Sequence, residues 1–177
     1  MPTRLRTMVR ARPSQPTPAP EGPSLDSIRL RPGAQRDANS IVSFVLSEKI
    51  NPLGLDPFRF TIAEAPGAEG IVGIVQTVPL AAPGSAELRT LVVRPSFRGR
   101  GLGSRLVSTQ LEGLAPGTAV YLTTIESRLR FYKRLGFKRL LLEEAPSDMR
   151  FEVAAGLVAA RLLAGQQLVV MCCVVQR

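Results

Sequence analysis

Apolar positions along the chain come in two rhythms. Ile28-Arg29-Leu30 alternates like a short strand and stops at Pro32-Gly33. Ile41, Phe44, Val45 and Leu46, with Ile50 beyond, recur at helical spacing and predict an amphipathic helix over 35–49, ended by Asn51-Pro52-Leu53-Gly54. Strand patterning returns in Phe58-Arg59-Phe60-Thr61-Ile62, in Gly70–Val78 and in Glu87–Val93, with turns at Pro66-Gly67 and Ala82-Pro83-Gly84-Ser85. Beyond residue 100, Leu102, Leu106, Val107 and Leu111 form a helical stripe over 101–114, closed by Pro116-Gly117. Val120–Thr124 reads as a buried strand, Arg128–Leu135 as a short helix capped by Gly136, and Phe137–Leu142 as a strand. Met149–Leu163 reads as an alanine-rich helix and Leu168–Val175 as the last strand. A strand meander followed by strands alternating with helices predicts one α/β (α+β) domain over 25–177, built on a mixed sheet.

Residues 1–24 break both rhythms. They hold six prolines, four arginines and a single acid, Glu21, so they cannot bury enough apolar surface to offset their ordering entropy. A disordered tail is expected. Its Arg-rich, acid-poor composition resembles an organellar transit peptide, chloroplast first, with a cytoplasmic protein bearing an address-free tail as the alternative. Near the other end, Leu162 to Val175 is uncharged but short of the roughly 20 residues that a membrane span needs, so it is assigned to the core.

The chain contains no histidine, which excludes Ser-His-Asp and Cys-His catalysis and His-based zinc sites. No metal is expected. Proton transfer falls to a carboxylate, tyrosine, lysine, cysteine or ordered water. Cys172 and Cys173 are adjacent, so on a strand they point to opposite faces and are poorly placed to pair or to share a metal. The net charge of +9 is concentrated in three groups. One lies in the tail, one is Arg94, Arg98 and Arg100, and one is Arg128, Arg130, Lys133 and Arg134. The last two suit a small polyanion; no aromatic-rich surface accompanies them to favour nucleic acid.

The candidate chemistry starts where strand Leu88–Val93 runs through Arg94-Pro95-Ser96-Phe97 into Arg98-Gly99-Arg100-Gly101-Leu102-Gly103-Ser104 and a helix. The first turn of a helix has N–H groups without intrahelical partners and the positive end of the dipole, and glycines let a phosphate approach them. A Walker loop is excluded because no lysine stands at the required place, and a dinucleotide fingerprint fails because Ser104 occupies its last glycine position. A second motif follows at Phe131-Tyr132-Lys133-Arg134-Leu135-Gly136-Phe137.

With both motifs in order, the sequence resembles the GNAT superfamily of N-acetyltransferases. That family's phosphate loop, Arg/Gln-x-x-Gly-x-Gly/Ala, is met by Arg98, Gly101 and Gly103, and its Tyr-x-x-x-Gly-Phe by Tyr132, Gly136 and Phe137. The resemblance is sharp over about 87–142. It implies a central mixed sheet splayed in the middle, flanked by helices, with acetyl-CoA as co-substrate. Leu91, Val92 and Val93 would bond the pantetheine arm through their backbone, and Arg98, Gly99, Arg100, Gly101, Leu102, Gly103 and Ser104 would bind the pyrophosphate. Tyr132 would be the general acid. Glu87, or ordered water, would be the base that frees an amine whose pKa lies near 10.4 for lysine or near 8 for an α-amine; Glu126 is a second candidate. Many relatives carry Asn seven residues before the tyrosine, where this chain has Ile125. The acceptor, a protein N-terminus, a lysine or a small amine, stays open. So do two other readings: a non-catalytic acyl-CoA sensor of the same fold, and a basic nucleic-acid-binding module.

Overall fold

The computed structural model describes residues 24–48, 50, 52–150 and 167–176. The tail expected to be disordered lies outside the described residues, apart from Ser24, as does the helix expected over Met149–Leu163, apart from Met149 and Arg150. Seven strands form one sheet in the order β1-β2-β3-β4-β5-β7-β6. They are β1 (Arg29–Pro32), β2 (Phe60–Ala65), β3 (Gly70–Pro79), β4 (Ser85–Val93), β5 (Ala119–Ile125), β6 (Lys138–Leu140) and β7 (Leu168–Val174). The first four make the expected antiparallel meander. β4 and β5 run parallel, and β7 inserts antiparallel between β5 and β6.

Two layers cover the sheet. On one face, α2 (Leu102–Glu112) and the short α3 (Leu129–Lys133) bury Leu102, Leu106, Val107 and Phe137 against Val72, Leu88, Val120, Leu122 and Met171. On the other, α1 (Ala38–Ser47) buries Ile41, Phe44 and Val45 against Phe60, Ile62, Ile74 and Val92. Gly73 lets α2 settle onto the sheet: a Cβ there would sit 2.9 Å from Leu106 Cδ1. Gln110 then fixes the helix laterally. Its Oε1 accepts from Thr61 Oγ1 at 2.6 Å, and its Nε2 donates to Thr77 Oγ1 at 2.7 Å.

The mixed α/β class and the element order match the sequence expectation; the boundaries differ where caps compete with alternation. The strand expected at 58–62 begins at Phe60, because Asp56 accepts from the Phe58 N–H and Pro57 starts a 3-10 turn over Pro57–Arg59. Phe58 is thereby left 67% exposed. Leu46, expected on the apolar stripe of α1, also faces solvent; the helix turns only Ile41, Phe44 and Val45 inward.

Candidate active site

The site originates in a failure of pairing. β4 and β5 are in register only at Ser85, Ala86 and Glu87, opposite Ala119, Val120 and Tyr121. Beyond Glu87 the two strands part, so the edge of β4 from Leu88 onward opens into a groove. β4 also carries a bulge opposite β3, between the positions facing Ile74 and Gln76. There Thr90 takes φ +53°, the one non-glycine residue at positive φ among those described. A β-branched residue in that region costs of order 1–3 kcal/mol and persists only when its surroundings hold it.

The groove, of about 620 Å³, is bordered by Leu91, Val92 and Val93 on one side. At its head lie Arg98, Gly99, Gly101, Gly103 and Ser104, and across it stand Arg128, Phe131 and Arg134. Gly99 and Gly101 adopt φ +74° and +90°, and Gly101 is the N-cap of α2. A side chain at either would begin in open space, so their backbones are held clear of the protein. Gly103 has an ordinary φ, but a Cβ there would project toward the groove, 3.5 Å from Phe131. These are the properties of a phosphate cradle: free space, the N–H groups of a first helical turn and arginines nearby.

Most of the residues expected from sequence to hold the ligand come together here. Two reach it only indirectly. Leu102 is buried in the core, leaving its backbone alone near the groove, and Arg100 stacks its guanidinium over the Phe97 ring at 6.0 Å. Arg98 lines the groove with its guanidinium already engaged by the protein. Its Nε donates to Val93 O at 2.7 Å and its guanidinium pairs with Glu48, just past the C-terminus of α1.

The proton-transfer candidates lie outside the groove lining. Tyr132 packs edge-on against Phe131 and Phe137, with ring centroids 4.8 and 5.7 Å away. Burial pushes its hydroxyl up to about 12. Arg128 pulls in the opposite direction, but loss of hydration outweighs it. Glu87 is buried on the face opposite α2 and pairs with Arg89 at 2.5 Å. Glu126 is exposed and pairs with Arg139.

Several neighbours were not singled out from sequence. Arg89 lies two residues past Glu87, which on a strand means the same face, so the period alone could have paired them. Gln76 is the one amide of β3, a visible exception. Glu48 had no sequence signal, since its partner Arg98 is fifty residues away. A larger cleft, about 750 Å³, lies beside α1, where Arg31 forks onto Asp37 at 2.8 and 2.9 Å and also bonds Glu64. Arg31 thus pairs with both carboxylates, which suits a structural tie between β1, β2 and α1. Among the described residues no group of His, Cys, Asp or Glu could hold a metal ion, and no helix is long and apolar enough to cross a membrane.

A sheet opened beside a parallel strand pair, with a glycine cradle heading the helix behind it, is an arrangement suited to holding a nucleotide diphosphate. Residues 56–139 match the family model for the acetyltransferase (GNAT) domain. Solved structures agree in fold. N-acetylglutamate synthase from Neisseria gonorrhoeae, complexed with coenzyme A and N-acetyl-glutamate, superposes with a TM-score of 0.64 at 16% identity, over 85% of this chain and 35% of that one. Rv2747 from Mycobacterium tuberculosis, in complex with CoA and NLQ, gives 0.59 at 21% identity over 82% and 98%. Ard1 from Thermoplasma volcanium gives 0.56 at 18% identity over 85% and 99%. The chain thus spans about a third of the length of the synthase. No curated protein matches it in sequence.

Proposed function

We propose that the protein is an acetyl-CoA-dependent N-acetyltransferase that acylates a primary amine by direct transfer. The observation carrying this reading is the coincidence of the β4–β5 splay with the glycine cradle at the N-terminus of α2. Acetyl-CoA, when bound, supplies an activated acetyl thioester. Gly99, Gly101, Gly103 and Ser104 receive its diphosphate on backbone N–H groups, and Arg128 and Arg134 add positive charge on the opposite wall. The opened edge of β4 offers backbone groups of Leu91 and Val93 to the pantetheine amides. Val93 O is the acceptor now engaged by Arg98, so Arg98 exchanges that contact for the ligand.

In the transfer an amine nitrogen bonds to the acetyl carbon as the carbon–sulfur bond breaks. One proton leaves the nitrogen and one reaches the sulfur. Glu87, or a water it orders, takes the first; its carboxylate is held in place by Arg89. Tyr132 supplies the second, since a hydroxyl pushed up to about 12 stays protonated throughout the neutral range. The acceptor is a protein N-terminus, a lysine or a small amine.

The experiment is a panel of peptides, amino acids and polyamines incubated with acetyl-CoA, followed by thiol release and mass spectrometry of the products. Acceptor-dependent thiol with a mass gain of one acetyl group is the expected result. Tight CoA binding without turnover on any amine would instead make the protein an acyl-CoA sensor.

A further inference from the structure

We propose that Gln76, in the middle of β3, is a positioning residue for this transfer, holding the bulge that presents β4 to the cofactor and the loop beside the candidate base as one unit. The inference rests on the acetyl-CoA reading above and adds to it a residue outside the groove. Gln76 is 1% exposed, the one amide of β3, which follows the apolar run Ile74-Val75 and precedes the hydroxyl of Thr77. Leucine has a similar volume and would carry no polar group to satisfy, so the amide calls for a purpose.

Its bonds supply one. Nε2 donates to Thr90 Oγ1 at 3.3 Å and to Gly54 O at 3.3 Å, while Oε1 accepts from the Asp56 N–H at 3.4 Å. Thr90 is the residue at positive φ in the bulge, where threonine is strained and glycine would not be. The bulge lies directly before Leu91, Val92 and Val93, which border the groove. Downstream of it the Arg94 N–H returns to β3, donating to Val72 O at 2.8 Å, while the preceding carbonyl, Val93 O, accepts from Arg98. The bulge therefore sets which backbone groups of β4 meet the ligand.

The second arm of the amide fixes the segment Gly54–Asp56. This segment lies against Arg89: a Cβ on Gly54 would be 3.6 Å from Arg89 Nη1. Arg89 is the partner of Glu87. One buried side chain thus joins the backbone that seats the cofactor to the loop next to the carboxylate that would accept the amine proton.

The test uses the full chain and compares Gln76→Leu, Gln76→Leu with Thr90→Gly, and Thr61→Val. Thr61 bonds Gln110 away from the groove and controls for the loss of a buried polar bridge. Calorimetric titration with CoA and amide hydrogen exchange are the readouts. Gln76→Leu should weaken CoA about tenfold and speed exchange at Leu91 and across 54–56 together, whereas Thr61→Val lowers the melting temperature without changing CoA affinity. Adding Thr90→Gly should recover CoA affinity to within about threefold, because glycine holds positive φ unaided, and should leave the 54–56 loop fast. If Gln76→Leu does not fold, Gln76→Glu, which lacks the Nε2 donor, should show the same pattern. Wild-type CoA affinity and Leu91 exchange in the Gln76 variants, or no recovery on adding Thr90→Gly, would overturn the proposal. A wild-type protein that bound no CoA would remove the acetyl-CoA reading instead, and exchange at Leu91 and 54–56 would still decide whether Gln76 couples the two.

Discussion

Tyr132 shows how one side chain can have its chemistry set by packing and not by its charged neighbours. Removing only its oxygen, in Tyr132→Phe, leaves the edge-on contacts with Phe131 and Phe137 intact. Turnover is expected to fall by about a hundredfold, with the dissociation constant for CoA changed less than about twofold, in parallel rate and titration measurements. An unchanged rate would remove the acid role. The raised value also has a stability consequence. The unfolded hydroxyl loses its proton near 10 and the folded one near 12, so stability is whole below about 10 and falls as pH rises across that window. Cys173, pushed up to about 12 by burial from a lower starting point, adds to the same decline. Tyr132→Phe should flatten part of the slope in alkaline denaturant titrations. Gly103 separates ligand space from fold. Gly103→Ala, at an ordinary φ and with only normal contacts, should keep or raise the melting temperature, while Gly103→Val should weaken CoA about tenfold by filling the cradle.

The contact of β1, β2 and α1 depends on a charge network that no hydrophobic period announces. Arg31 and Asp37 are nearly buried, with side chains 12% and 8% exposed. Arg31→Ala would leave the Asp37 carboxylate without its partner, a change expected to cost about 3–5 kcal/mol, readable as a lower denaturant midpoint. Arg31 holds the carboxyls of Asp37 and Glu64 below the usual carboxylate range. Their stabilisation is therefore present above the ordinary carboxylate pKa and lost as pH falls through the lower, folded values. Arg31→Ala should make acid unfolding less steep. The same elements show where local pattern misleads. The alternation Phe58, Phe60, Ile62 suggested one continuous strand. The Asp56 cap and Pro57 set a different backbone at its first two residues, since a capping bond is satisfied locally and strand pairing waits on a distant partner.

The charge of the whole molecule becomes specific only where the fold gathers it. Arg128 and Arg134 are exposed on the groove wall facing the cradle, while Arg94 is tied to Glu69 and the Ile71 carbonyl, and Arg98 to Glu48. Replacing Arg128 and Arg134 together by alanine should weaken CoA about tenfold at low salt and make the remaining affinity less salt-dependent, measured by titration across ionic strength. Unchanged affinity would locate the phosphates elsewhere.

By itself the sequence determined the strand meander, the helix with its glycine-rich head, the absence of imidazole chemistry and the family resemblance. These are properties of neighbours along the chain: period, turn residues and motif spacing. Tertiary structure decided the strand order that slips β7 between β5 and β6 and the splay that starts after Glu87. It also decided the pairing of Arg98 with Glu48 and the link from Gln76 to Thr90 and Gly54. Each of these joins residues far apart in sequence, and such contacts are selected by how buried faces and polar groups are satisfied together once the chain has closed on itself.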